Sequence, residues 1–246
     1  MINKILLQSI LNKYHLGINQ SVKWVIKDKT LEIDFMTPTK DVIGKVSCNN
    51  FNLEDSELAI YDTKKLSNLL AICQGDLLLE LERSHKIFTK LHISDTNFNL
   101  TYALSDPLLM LKIGTVNIPE WVVGIDLSKE DITNLIKAKS ALGEIDNMLF
   151  TTSQNLDGED ICEFIFGDEA GHNNKITYQI KGTIKETNLK IPFNSEIFKT
   201  ILQVNKDMEA AQLSMSSMGL MKLEFQDIES GIVSEYFMVR KAETSF

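Results

Sequence analysis

The sequence predicts an α+β protein made of two copies of one plan, each with two helices packed on antiparallel sheets. Three observations predict it. Four segments repeat their apolar residues at helical spacing, and the stretches between them alternate apolar and polar residues with period two. The order helix, strands, helix, strands also occurs twice, with the second round starting roughly 125–130 residues after the first.

The first helix spans Asn3 to Tyr14, with Leu6, Leu7, Ile10, Leu11 and Tyr14 on one face. The second runs from about Asp62, a candidate N-cap, to Cys73 and turns Leu66, Leu69, Leu70 and Cys73 inward. The third opens on Ser128-Lys129-Glu130-Asp131, which fits a capping box. Ile132, Leu135, Ile136 and Leu142 then share a face. The fourth follows Asn194, another cap candidate, with Ile197, Phe198, Ile201 and Leu202 as its stripe.

Strands fill the intervals. Leu31 to Phe35, Ile176 to Ile180 and Leu220 to Phe225 alternate with period two. Leu78 to Glu82, Ile87 to Ile93, Phe98 to Leu104, Ile161 to Phe166 and Ile232 to Val239 are further candidates. Turn residues punctuate them at Asn49-Asn50, Gln74-Gly75-Asp76, Leu156-Asp157-Gly158 and Ser230-Gly231. The local texture repeats too: Ala59-Ile60-Tyr61-Asp62 and Ile191-Pro192-Phe193-Asn194 each lead into a helix and then a strand. The expected division is a domain over 1–105, a connector over 106–125 and a second domain over 126–246. Asp106-Pro107 breaks the preceding strand, and Gly114, Pro119 and Gly124 punctuate the connector. Its apolar residues, among them Leu108, Leu109, Leu111, Ile118 and Trp121, predict a segment that packs over a surface and leaves part of itself available.

Composition narrows the class. The 246 residues have ordinary globular content, and no stretch reaches the roughly 18 apolar residues of a membrane span. Gln8, Ser9, Asn12 and Lys13 interrupt the apolar start, so a cytoplasmic protein is expected rather than an exported one. Cys48, Cys73 and Cys162 are far apart and read as reduced core thiols. The net charge of −9 argues against a nucleic-acid coat, but a sum says nothing about distribution.

The distribution is uneven. Opposite the apolar stripes lie Lys4 and Lys13 on the first helix and Lys64 and Lys65 on the second. Lys129, Lys137 and Lys139 take that place on the third, and Lys199 and Lys206 on the fourth. Acids in these helices are confined to the first turns, where Asp62, Glu130, Asp131 and Glu196 complement the helix dipole. In a chain with 34 acidic and 25 basic residues, four such faces predict a surface that meets phosphates. Lysine suits a contact that slides, because its charge is a hydrated point on a flexible stem. Arginine, the usual base reader, occurs only at Arg83 and Arg240.

Glu57 to Ala71 resembles the segment leading into the second helix of tailed-phage sliding clamps. The stretches Leu213 to Ser216, Leu220 to Phe225 and Glu235 to Glu243 resemble the end of proliferating cell nuclear antigen and its phage relatives. Leu31 to Ile43 is similar to that family's first long strand and central loop. The Thr244-Ser245-Phe246 tail and the Ala59 to Asp62 segment favour the phage branch. The resemblance implies the DNA clamp fold and a homotrimer joined head to tail around duplex DNA, helices inside and sheets outside. It also implies an ATP-driven clamp loader, a tethered replicative DNA polymerase and, in phages, late transcription factors as partners. A docking groove for partner peptides carries over to Met36, Ile118, Trp121, Tyr236, Met238 and Val239. The bulkier connector and the lack of proline near Val239 depart from the cellular relatives and bear on the shape of that groove.

No enzyme signature competes with this. His15, His85, His92 and His172 lack metal-ligand spacing, and no phosphate loop of the G-x-x-x-x-G-K or G-x-G-x-x-G type occurs. The acidic runs around Asp157 to Asp160 and Gly167 to Glu169 lack the full calcium-loop spacing. No cofactor, metal or catalytic residue is expected. The rival readings are a non-ring DNA-binding processivity factor or scaffold with the same fold and, more remotely, an unrecognised hydrolase.

Overall fold

A computed structural model describes the chain except for Lys86, Thr115 and residues 155–157, 168–173 and 242–246. His172, Asp157, Asp168, Glu169 and the C-terminal tail named above therefore lie outside the described residues. Two compact units emerge, one formed by Met1–Thr115 with Asp227–Ser234, the other by Val116–Gln226 with Glu235–Phe246.

The first unit contains β1 (Ile2–Asn3), α1 (Lys4–His15), β2 (Val22–Lys27), β3 (Thr30–Met36), β4 (Val42–Cys48) and β5 (Ser56–Ile60). There follow α2 (Thr63–Ala71), β6 (Asp76–Ser84), β7 (Ile87–Ser94) and β8 (Asn99–Ala103). Its strands pair antiparallel in the orders β4-β3-β2-β5 and β1-β6-β7-β8. The second unit contains β9 (Val123–Asp126), α3 (Lys129–Ala141), β10 (Asn147–Gln154), β11 (Asp160–Gly167), β12 (Lys175–Lys181) and β13 (Thr183–Ile184). There follow β14 (Lys190–Asn194), α4 (Ser195–Asn205), β15 (Ala210–Met215), β16 (Leu220–Asp227) and β17 (Ile232–Val239). Its orders are β12-β11-β10-β14 and β13-β9-β15-β16. The first three residues of β17 cluster with the first unit, where the Asn49 N–H donates to the Gly231 carbonyl at 3.0 Å.

Every expected cap forms, and Asn3, expected as the first residue of its helix, is a further cap. Asn3 accepts from the Ile5 N–H at 2.9 Å and Asp62 from the Lys65 N–H at 2.8 Å. Ser128 and Asp131 close a reciprocal box, with the Asp131 N–H on Ser128 Oγ and the Ser128 N–H on Asp131 Oδ2. Asn194 accepts from the Glu196 and Ile197 N–H groups. Each cap satisfies donors that the helix itself leaves unpaired.

The stripes meet the sheets in separate cores. In the first unit Leu7, Ile10, Leu11 and Tyr14 of α1 and Leu66 and Leu70 of α2 are buried, together with Trp24, whose ring meets Phe51 edge-on. In the second, Phe164 of β11 meets Phe150 edge-on at 5.3 Å and stacks on Phe198 of α4 at 5.7 Å.

The duplication extends to single atoms. Thr63 and Ser195, each the first residue of its unit's second helix, are fully buried. Both send a hydroxyl to a carbonyl in the loop after the first helix: Thr63 to Gln20, Ser195 to Ile145. Their backbone N–H groups bind the same two loops, on the Gln20 and Asp146 carbonyls.

Strands β2, β4, β5, β10 and β14 go beyond the sequence expectation, and β9 claims residues 123–125 of the expected connector. Lys23 and Lys45 sit on the outward faces of β2 and β4, and Thr151 and Thr152 are both buried in β10, which blurs the apolar alternation there.

Candidate nucleic-acid interface and partner surface

Helix α1 packs against α2, and α3 against α4, so each unit presents one helix pair. Lys64 and Lys65 on α2, Lys129 and Lys137 on α3 and Lys206 at the end of α4 are exposed, and Lys199 is half-buried. None of the six takes part in an ion pair among the described residues. Sheet lysines behave otherwise. Lys23 pairs with Glu57, Lys45 with Glu32, Lys90 with Glu82 and Lys181 with Glu159. Lys222 is held between Glu224 and Glu235. Six helix lysines are thus outside any ion pair among the described residues, while most strand lysines are neutralised.

Three of the expected helix lysines have other employment. Lys13 is 2% exposed and Lys139 fully buried, so neither reaches a ligand at the surface; both are corrections to the expected phosphate-facing set. Their methylene stems fill interior space on α1 and α3, the side that helical spacing alone left ambiguous. The Lys139 ammonium donates to the Gly143 carbonyl at 2.6 Å and closes an ion pair with Glu196. Half-buried Lys4 donates to the Ala71 and Cys73 carbonyls at 3.0 and 2.5 Å, acting as a cation at the C-terminal end of α2.

The acids of the first turns are engaged as well. Burial pushes the Asp131 carboxyl up, but hydrogen bonds from Ser128 and Tyr178 outweigh it and hold the group below its ordinary value. The hydrogen bond from Lys139 likewise holds Glu196 low.

Of the expected groove residues, Met36 lies half-buried in the first unit at the end of β3. The other five lie in the second. Ile118 is 54% exposed, Val239 is 46% exposed and Trp121 is half-buried. Tyr236 and Met238 are corrections. Both are buried in the core, where Asn205 Nδ2 donates to Tyr236 Oη at 3.0 Å and the Phe225 ring meets Tyr236 edge-on. Successive residues of a strand point to opposite faces, so Tyr236 and Met238 cannot share a surface with Val239. The outward phase of β17 is Glu235, Phe237 and Val239, with Lys222 Nζ 5.9 Å from the Phe237 ring centre.

The connector and the end of β17 converge on one turn. The Val122 N–H donates to the Met215 carbonyl at 2.9 Å, and the Arg240 N–H donates to the Gly219 carbonyl at 2.8 Å. Between them the turn from 216 to 219 lifts Met218, 75% exposed, into solvent. Gly219 has a φ of +87°, and a β-carbon there would collide with the Arg240 side chain. Met218 and Phe237 were missed as surface residues. The signals were present: a Met-Gly turn between two alternating strands, and the outward phase of the last strand.

No protein-family model matches the sequence, and no curated protein matches it. Solved structures do. The A. fulgidus PCNA bound to the C-terminal region of FEN-1 superposes with a TM-score of 0.79 at 13% identity, over 99% of this chain and 98% of that one. PCNA from Thermococcus kodakaraensis gives 0.75 at 13% identity, over 97% of each chain. Proliferating Cellular Nuclear Antigen from Entamoeba histolytica gives 0.73 at 15% identity, over 98% and 96%. With two units of repeated topology, four capped helices and full-length superposition, the chain has the fold of the proliferating cell nuclear antigen DNA sliding clamps.

Proposed function

We propose that this protein is a DNA sliding clamp, a processivity factor that encircles duplex DNA and tethers the replicative polymerase without performing covalent chemistry. One observation carries the reading: the helix lysines Lys64, Lys65, Lys129, Lys137, Lys199 and Lys206 form no ion pair among the described residues, whereas most lysines on the sheets are paired. Unpaired ammonium groups on helices attract phosphate without reading bases, and salt weakens the attraction. Retention is then topological, so each contact can stay weak enough to slide.

Ring closure has a structural basis in the open edges. β8 is the outer strand of its sheet, and β12 the outer strand of its own. Exposed edges invite pairing. Pairing β8 of one copy with β12 of the next is a head-to-tail contact that closes after a fixed number of copies, and we take that number as three. An ATP-driven loader opens the ring. The partner surface is the connector end with Ile118 and Trp121, the Met218 turn and the outward residues Phe237 and Val239, a site for short peptides with apolar anchors.

The test combines mass and topology. Light scattering across a dilution series should give three times 27.9 kDa. Loaded protein should stay on nicked circular DNA and leave the same DNA once it is linearised. Reversing Lys137 and Lys199 to Glu should cut loading and processivity by about tenfold or more with the fold intact. A persistent monomer that binds open linear DNA equally well would replace the ring with a non-circular processivity factor.

A further inference from the structure

One position of the two helix pairs carries opposite charge in the two units. The residue after Thr63 is Lys64, exposed and in no ion pair among the described residues, while the residue after the equivalent Ser195 is Glu196. The duplication thus sets a carboxylate where its counterpart carries a lysine assigned to phosphate. The Glu196 side chain is 47% exposed and one helical turn before Lys199, so left alone it would repel the ligand that Lys199 attracts. It is not left alone. Lys139 approaches from inside α3, its side chain 0% exposed, and spends its ammonium on the Glu196 carboxylate and the Gly143 carbonyl.

The geometry points to Lys139 as a positioning residue for DNA association, one that never touches DNA but neutralises Glu196 and holds it against the end of α3. The inference rests on the reading of the helices as the DNA face. A buried cation beneath a half-exposed acid makes the pair neutral as seen from outside. The mask is fixed, because the lysine cannot swing away into solvent. The same pair ties the C-terminal end of α3 to the first turn of α4, and so sets the spacing between Lys137 and Lys199.

The test is a charge cycle read by fluorescence anisotropy on a labelled duplex at low salt, with melting temperature measured alongside. Lys139→Met should weaken binding about threefold to tenfold, because one acid is unmasked in every copy. Glu196→Gln should bind like the unmodified protein or slightly tighter. The double variant Lys139→Met with Glu196→Gln should return to within about twofold, since the acid needing a mask is gone. A purely structural role for Lys139 would leave the double variant as weak as the single one, and that result overturns the proposal. Lys139→Gln repeats the cycle if methionine does not fold, because it keeps a donor for the Gly143 carbonyl while removing the charge. Lys137→Glu is the control. Weakened binding in Lys137→Glu with none in Lys139→Met sinks the masking role and leaves the DNA face standing. Weakening in neither sinks both.

Discussion

The two units answer the same structural problem with different chemistry. Both anchor the second helix by burying a hydroxyl residue against the loop that follows the first, Thr63 on Gln20 and Ser195 on Ile145. Beside that anchor the first unit places Tyr14, whose Oη lies 3.4 Å from Thr63 Oγ1 and whose phenol burial holds protonated. The second unit places the Lys139–Glu196 ion pair. The cores diverge likewise, a tryptophan and tyrosine centre in one against a phenylalanine stack in the other. Topology and the caps were kept through the duplication, while the side chains inside were free to change as long as volume and hydrogen bonding closed.

The comparison breaks most easily at the cores. Phe164→Ala removes the ring between Phe150 and Phe198 and should cost about 3–5 kcal/mol. Each unit carries one of the two tryptophans, Trp24 in the first and Trp121 in the second, so single-tryptophan variants report them separately during denaturant unfolding. The Trp121 midpoint should fall far more than the Trp24 midpoint. Equal falls would mean that the units unfold as one body.

A smaller effect tests the shared anchor. Thr63→Ala and Ser195→Ala each remove one hydroxyl hydrogen bond at a buried helix start and should each cost about 0.5–1.5 kcal/mol, seen by the reporter of the same unit. If only one variant loses stability, the two hydroxyls are not equivalent devices.

The smallest effect is a difference in acid sensitivity. The Lys139 hydrogen bond lowers the pKa of Glu196 from its ordinary 4.5. A depressed carboxylate contributes stability above its unfolded pKa and loses it as pH falls through the folded value. The second unit should therefore weaken below about pH 4.5 through this group, and Glu196→Gln should flatten that part of the profile in the Trp121 signal only. The side chain is half exposed, so solvent screening keeps the change modest.

Much of this was legible in the sequence, for reasons that also explain the failures. Helix starts were readable because caps are local: Asp62, Ser128 with Asp131, and Asn194 each bind N–H groups two or three residues away. Period-two runs such as 232–239 were readable because one face is buried. Phase and partner choice were not. Whether Lys139 points outward or inward depends on Glu196, 57 positions along the chain, which no helical repeat encodes. Assigning Tyr236, Met238 and Val239 to one groove ignored the pleat, although the alternation that betrays it was in the sequence. The polar residues on β2, β4 and β10 hid those strands, because a strand inside a paired sheet tolerates lysine on its outer face.

The alternation along β17 also constrains how such a protein can drift. Ser234, Tyr236 and Met238 answer to the interior, while Glu235, Phe237 and Val239 meet whatever lies outside. Two descendants of this chain could exchange one binding preference for another by altering every second letter of a single eight-residue stretch, leaving the letters between untouched. Their aligned sequences would then differ like the teeth of a comb, and the spacing of the teeth would record which residues had been free to negotiate.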